Sequence, residues 1–286
     1  MVSNTKSSDL NVDDVKTFFL LLEEEYGIRL DQSKTYLLNA RLNSVARTAG
    51  LPSVGILISE IIKDPRHLFR DQAFDAMTTN ETSFFRDLGF YESLQNIVIP
   101  NALANKKRAK RLRFWSCAVA TGQEAYSIAM LLRDHFPELA SWDVEILATD
   151  ISSEALTKAK LGVYSNIEVK RGIDRSRFEK YFTSSEKKGF YEIREDIKGM
   201  VRFEDLNLLR DAYPQGSFDF VMLRNVLIYF SSANKLTVLD RVHSSIDTQG
   251  GLLFLGGSES IMGHSKYKMI QYPMWTAYGL VGGNFS

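Results

Sequence analysis

The run FWSCAVATGQEAYS, residues 114 to 127, followed by VEILATD ending at Asp150, limits the fold of this chain more than any other feature. Phe114 and Trp115 read as the end of an apolar strand, Ala118 to Gly122 as a tight loop of small residues, and Gln123 to His135 as a helix opened by Thr121. A second strand then ends on an acid. The result is a βαβ unit whose loop backbone can approach a ligand closely. A dinucleotide site asks for G-x-G-x-x-G, so that pyrophosphate rests on the helix N-terminus, whereas this loop has one glycine and places Glu124 in the first helical turn. A carboxylate there repels a diphosphate and suits a cation. S-adenosylmethionine, with a sulfonium and an ammonium, is the common nucleoside cofactor of that kind, and Asp150 is placed to accept from both ribose hydroxyls. An ordinary strand-to-helix turn, with Glu124 capping its own helix, is the other reading these residues allow.

At 286 residues and 44% apolar composition the chain has room for two domains and a large core. Its formal charge of +0 gives no global field toward nucleic acid or anionic membrane, so a charged partner must be met by a local patch. The single cysteine, Cys117, forms no internal disulfide and reads as a small buried side chain, which fits a reducing cytoplasm. No signal-like apolar segment and no membrane-length apolar run is found. His67, His135, His243 and His264 share no metal-ligand spacing, so metal catalysis is not expected.

Residues 1–75 read as a helical domain, with apolar stripes at Val15, Phe18, Phe19 and Leu22, at Tyr36, Leu37, Ala40, Leu42 and Val45, and at Ile56, Leu57, Ile58, Ile61 and Ile62. Residues 76–113 form a connection holding TTNETSFFRD, a helix from Gly89 to Asn105 and the basic run KKRAKRLR. From 114 to 286 strands alternate with helices, predicting strands at 112–117, 144–149, 200–204, 218–223 and 251–256 and a closing pair at 268–271 and 275–281. This is an α/β class with a mostly parallel, methyltransferase-like sheet of seven strands. An insertion over about 162–200, with a helix at 175–182 and short strands around GFYEI, forms a small lobe at the sheet edge.

Arg224 and Asn225 stand where the apolar strand FDFVML stops, the position at which open α/β sheets bind ligands, although a turn capping the strand would look the same. Asn207 and Leu208, after the third strand, offer an amide and an apolar face to a purine. In TTNETSFFRD, residues 78–87, Phe84 and Phe85 read as an aromatic staple between elements; the alternative is a lid whose Arg86 binds a carboxylate of cofactor or substrate.

Taken together and in order, TTNETSFFRD, WSCAVATGQEAYSIAM, LATDIS, NLL, LRNVLIYF and GGLLFLGGSES resemble the CheR-type chemoreceptor glutamate methyltransferases over nearly the whole chain. The resemblance implies transfer of a methyl group from S-adenosylmethionine to glutamate side chains of the cytoplasmic helical bundle of chemoreceptors, giving methyl esters and S-adenosylhomocysteine. It places cofactor contacts at Asn80, Thr82, Arg86, Glu124, Asp150, Asn207, Leu208, Arg224 and Asn225, and it puts Tyr229 near the transferred methyl. Arg86 and Tyr229 are then the groups that orient the reaction. The family's usual GEEPYS is GQEAYS here, with Gln123 and Ala125 replacing an acid and a proline, which implies altered loop rigidity or affinity with Glu124 kept as the ammonium partner.

The helix from Lys34 to Arg47 has three cations and no acid, and the resemblance makes it a dock for an acidic receptor helix through Arg41 and Arg47; a solvated helix face is the plainer reading. The insertion has only the short TSSEKKG where some relatives hold a receptor tether peptide, so no tether is expected. Two rival functions are weighed. A nucleic-acid methyltransferase would use KKRAKRLR on phosphates, but the run lacks interleaved aromatics and no base-holding motif is present. A non-enzymatic S-adenosylmethionine-binding signalling module would need the same residues as the enzyme.

Overall fold

The computed structural model describes residues 10–106, 109–214, 218–261 and 263–283. Lys107 and Arg108 of the basic run and the first nine residues lie outside that set. The chain divides into two compact units, one ending at Thr79 and taking in Tyr229–Asn234, the other comprising Asn80–Ile228 and Lys235–Ser286.

The first unit holds helices at Val12–Tyr26, Tyr36–Thr48, Val54–Lys63 and Arg70–Ala76. Asn11 starts the first of them, its side chain accepting from the Asp13 and Asp14 N–H groups, and Asp13 and Asp14 place negative charge at the positive helix end. Val15, Phe18, Phe19 and Leu22 are buried as the periodicity predicts, and Phe18 meets Phe74 edge-on at 5.4 Å. The second helix differs from expectation. Its core stripe is Leu38, Leu42, Val45 and Ala46, while Tyr36 is 65% exposed, because Gln32–Lys34 forms a separate turn and the stripe takes its phase from a helix starting at Tyr36.

The second unit is built on strands β1 (Arg111–Cys117), β2 (Asp143–Asp150), β3 (Val163–Ser165), β4 (Phe182–Ser184), β5 (Phe190–Ile193), β6 (Val201–Asp205), β7 (Phe220–Leu223), β8 (Leu252–Leu255), β9 (Tyr267–Gln271) and β10 (Thr276–Leu280). The main sheet runs β6-β2-β1-β7-β8-β10-β9, parallel except where β10 lies antiparallel to both neighbours. This is the mostly parallel seven-stranded sheet expected. Strands β1, β7 and β8 are apolar on both faces because helices cover both, and their central residues are fully buried. The order turns at β1, whose neighbours β2 and β7 lead to opposite edges, so the crevice for a ligand lies past the carboxyl end of β1.

The helix predicted from Gly89 to Asn105 is a continuous coil of three parts: Leu88–Ser93, a π turn at Leu94–Val98, and Ile99–Lys106. Pro100 explains the break. It has no N–H and its ring crowds the carbonyl one turn back, and the wider turn before it relieves that clash. In the insertion, β3, β5 and β4 form a separate antiparallel sheet beside short helices at Asn166–Lys170 and Arg175–Tyr181. Ser165 and Glu168 cap the first of these helices reciprocally, which fixes so short an element. Among the described residues no helix is long and apolar enough to cross a membrane.

Candidate functional site

The loop after β1 reaches its helix differently from the sequence reading: Gly122, not Thr121, is the N-cap, at φ 95. A Cβ there would lie 2.9 Å from the Ala159 Cβ, so the helix can approach its neighbour only with glycine at this turn. Thr121 instead donates from Oγ1 to Gln123 Oε1 at 2.8 Å. Ala118 and Ala120 are also left-handed, at φ 52 and φ 53, a strained arrangement that persists where the surroundings over-determine it. What determines it here is Asp150. Its Oδ2 accepts from the Ala120 N–H at 2.7 Å and its Oδ1 from the Ser152 N–H at 2.8 Å. The carboxylate is thus held by backbone on both oxygens.

Asn80, from the segment before the sheet, donates from Nδ2 to Ser152 Oγ at 3.3 Å, which brings this segment to the end of β2. Asn207 and Leu208 follow β6, the next strand, where Asp205 is in register with Asp150. Asn207 closes a turn by accepting the Leu209 N–H at 2.9 Å, and Leu208 is buried. Asn225 is left-handed at φ 60 after β7, its N–H bonded to Glu259 Oε2 at 2.7 Å. The same carboxylate accepts the N–H groups of Gly256 at 2.8 Å and Ile228 at 3.2 Å, so Glu259 fixes the LRNVLI turn to the GGSES loop.

Arg224 is where the sequence reading is corrected. Its side chain is 2% exposed and is turned into the protein as a tie. Nη1 lies 2.5 Å from Glu124 Oε2, while Nη2 donates to Asp87 Oδ2 at 2.8 Å and to the Arg86 carbonyl at 2.9 Å. The guanidinium stacks 4.1 Å from the centre of the Phe90 ring. Burial works against its charge, but Glu124, Tyr91 and Asp87 outweigh that and hold its pKa above the ordinary value. Glu124, read from sequence as the partner of a ligand cation or as a cap of its own helix, therefore has a partner within the protein, and its Oε1 accepts from Ser116 Oγ at 2.7 Å.

Arg86 itself is exposed, with a 3.3 Å bond from Nη1 to the Glu81 carbonyl, and Thr82 is half-buried. Phe84 and Phe85 are buried, as an aromatic staple requires. Gln123 and Ala125, the two departures in GQEAYS, are both buried in the helix. Cys117 is buried, and burial, then Glu124, pushes its thiol well above the ordinary range, which leaves it neutral and unreactive.

Three candidates, Tyr229, Arg41 and Arg47, belong with the helical unit. The Tyr229 carbonyl accepts from the Arg29 N–H at 2.9 Å. Arg41 does not stand free on the surface as docking requires: its Nη1 donates to the Met77 and Thr78 carbonyls at 2.6 and 2.9 Å, and its Nη2 to Thr79 Oγ1 at 3.1 Å. Arg47 is exposed. In the basic run, Lys106 pairs with Asp219 and Asp247, and Arg113 with Asp143 and, at 3.1 Å, Glu145, so these cations are taken.

Asp87, Ser116, Ser152 and Glu259 were not singled out from sequence. All four lie inside the quoted motifs, TTNETSFFRD, WSCAVATGQEAYSIAM, LATDIS and GGLLFLGGSES, which was the available signal.

A family model described as the SAM-binding domain of CheR methyltransferase matches residues 80–275, and one described as its all-alpha domain matches residues 13–78. The chain belongs to the CheR methyltransferase family. This methyltransferase is 40% identical to chemotaxis protein methyltransferase Cher2 of Pseudomonas putida over 90% of its own length and 94% of the relative's. It is 39% identical to chemotaxis protein methyltransferase 1 of Pseudomonas aeruginosa, with the same coverage of both chains. A chemotaxis protein methyltransferase of Vibrio parahaemolyticus is 37% identical over 90% of this chain and 93% of the relative.

The crevice fits the S-adenosylmethionine of that domain on its own chemistry. Arg224 brings one positive charge against the two carboxylates of Glu124 and Asp87, so the cluster keeps one net negative charge for a cationic ligand.

Proposed function

We propose that this CheR-family methyltransferase esterifies glutamate side chains on the cytoplasmic helical bundle of chemoreceptors, acting in the cytoplasm without a receptor tether peptide. The observation that carries the proposal is that both family domains match in order, residues 13–78 and 80–275, so the helical unit accompanies the cofactor domain as it does in relatives named for chemotaxis. Asp150 holds the ribose hydroxyls, and Asn207 with Leu208 takes the purine. Glu124 and Asp87, tied by Arg224, keep negative charge for the amino-acid ammonium, while Asn80, Thr82 and Arg86 cover the site from the lid and Asn225 closes it. When bound, S-adenosylmethionine supplies a methyl on a cationic sulfur, which an ionised glutamate takes in-line as the carbon–sulfur electron pair returns to sulfur. A glutamate pKa of about 4.3 means no general base is needed, so the protein's contribution is alignment and exclusion of water. Arg86 and Tyr229 are the orienting side chains. Arg47, on an exposed acid-free face, is the docking cation for an acidic receptor helix.

The test is incubation with methyl-labelled cofactor and receptor-rich membranes, with total RNA in a parallel tube. Base-labile label on receptor protein is the expected outcome; label on RNA, or cofactor binding without transfer to either, contradicts the proposal.

A further inference from the structure

The edge insertion has a short hairpin loop and no tether assigned to it, yet it lies against the most irregular part of the cofactor site. Residues 79–87 have no helix or strand of their own, so no internal ladder fixes their shape. Phe85 and Asp87 are left-handed, at φ 47 and φ 65, conformations that need outside support. The insertion provides it at three points.

Phe84 is buried with its ring edge-on to Tyr164 at 5.0 Å and to Phe182 at 5.6 Å. The Tyr164 hydroxyl donates to the Thr121 carbonyl at 2.6 Å, so the ring that holds the lid also holds the loop after β1. Gly172, at φ 142, lets the chain pass directly over the Phe84 carbonyl: a Cβ there would lie 2.0 Å from that oxygen. Arg177 stacks 4.2 Å above the Phe85 ring and is itself fixed by Asp134 at 3.1 Å and Asp174 at 3.0 Å. On the other side of Phe85, its N–H donates to Ser127 Oγ at 2.9 Å. The aromatic pair is therefore gripped between the insertion and the helix after β1. Arg86 directly follows the pair and Thr82 lies two residues before it, and both are proposed cofactor contacts.

We propose that the insertion is a clamp that positions the cofactor lid, with Gly172 and Arg177 as positioning residues that act through Phe84 and Phe85 on Thr82 and Arg86. The inference rests on the reading of residues 80–87 as part of the cofactor site. Because Arg86 is the lid's cation for a carboxylate, the clamp should matter to the amino-acid end of the ligand and much less to its nucleoside end.

The full-length protein and its Arg177→Ala, Gly172→Ala and Asp150→Ala variants are titrated calorimetrically with S-adenosylhomocysteine and with 5′-methylthioadenosine, which lacks the amino acid. Arg175→Ala is the control within the insertion, since that side chain is 91% exposed and pairs with the exposed Glu179. Arg177→Ala should lose about threefold to tenfold in affinity for S-adenosylhomocysteine, and Gly172→Ala more than about tenfold, with methylthioadenosine affinity and the Arg175→Ala control unchanged. Equal losses for both ligands would show that the insertion only supports the fold, and wild-type affinity for both would show that it does not reach the lid; either result overturns the clamp. Asp150→Ala should weaken both ligands. If it weakens neither, the assignment of the crevice fails, a result distinct from failure of the clamp.

Discussion

The Arg224 guanidinium joins Glu124, 2.5 Å from Nη1, to Asp87, 2.8 Å from Nη2, and so fastens the first turn of the helix after β1 to the TTNETSFFRD segment through the end of β7. Three segments far apart in sequence meet on one planar group whose fork matches carboxylates two at a time. Arg224→Ala would leave Glu124, 14% exposed, without its cation, and should lower unfolding free energy by about 3 to 5 kcal/mol. Arg224→Lys should restore only part of that, since a point charge cannot serve two carboxylates and a carbonyl at once. Urea denaturation of both variants checks the ranking.

Asp150→Ala removes the acceptor for the Ala120 and Ser152 N–H groups together with the proposed ribose partner. Loss of hydrogen bonds to a charged acceptor predicts cofactor affinity lower by about 10- to 100-fold, measured by calorimetry. Asp150→Asn, which keeps one acceptor oxygen, should fall between that variant and wild type.

Glu259→Ala should release the N–H groups of Asn225, Gly256 and Ile228 from one carboxylate and cost about 1 to 3 kcal/mol of stability. Because Asn225 is held at φ 60 by that bond, cofactor affinity should fall as well. A thermal melt together with a cofactor titration checks both effects.

Sequence periodicity fixes most of this fold because its signals are local. The helix Gln123–His135 and the apolar strands β1, β7 and β8 are legible in short runs of residues, and the C-terminal edge of the sheet then places Asp150, Asn207 and Asn225 together. What could not be read depends on partners distant in sequence. Glu124 was assigned to a ligand because nothing near it shows that Arg224, at the end of another strand, reaches it. Helix charge is visible in sequence and makes Arg41 a docking candidate, whereas the carbonyls of Met77 and Thr78 that accept its hydrogen bonds are not visible there. Arg177 and Asp134 carry no motif; their meaning lies only in the contact with Phe85.

The two arginines of the helix Tyr36–Thr48 should separate in their effects. Arg47→Ala should weaken binding to receptor bundles and leave the melting temperature unchanged, whereas Arg41→Ala should lower the melting temperature by freeing three acceptors at the end of the helical unit. Receptor pull-down and differential scanning calorimetry read the two effects independently.

Asp134 gives the insertion an acid limit. Burial raises its carboxyl pKa, but Lys180, Tyr181 and Arg177 outweigh burial and bring it below the ordinary 3.8. A folded pKa below the unfolded one means that this stabilisation is complete above the unfolded value and lost as pH falls through the lower folded value. Wild-type stability should therefore drop on acidification below about pH 4 more steeply than that of Asp134→Asn, which is already weaker at neutral pH. Urea midpoints taken from neutral pH down to the acid transition check the slope.

The central claim is that the cofactor's methyl group ends on a glutamate of a chemoreceptor. Purified protein, S-adenosylmethionine and a receptor cytoplasmic fragment are incubated, and the fragment is mapped by peptide mass spectrometry. The account predicts methyl esters on glutamate side chains of the helical bundle, abolished or strongly reduced with Asp150→Ala. Methyl groups found on lysine or arginine nitrogen, or an unmodified receptor in the presence of a protein that binds the cofactor, would contradict it.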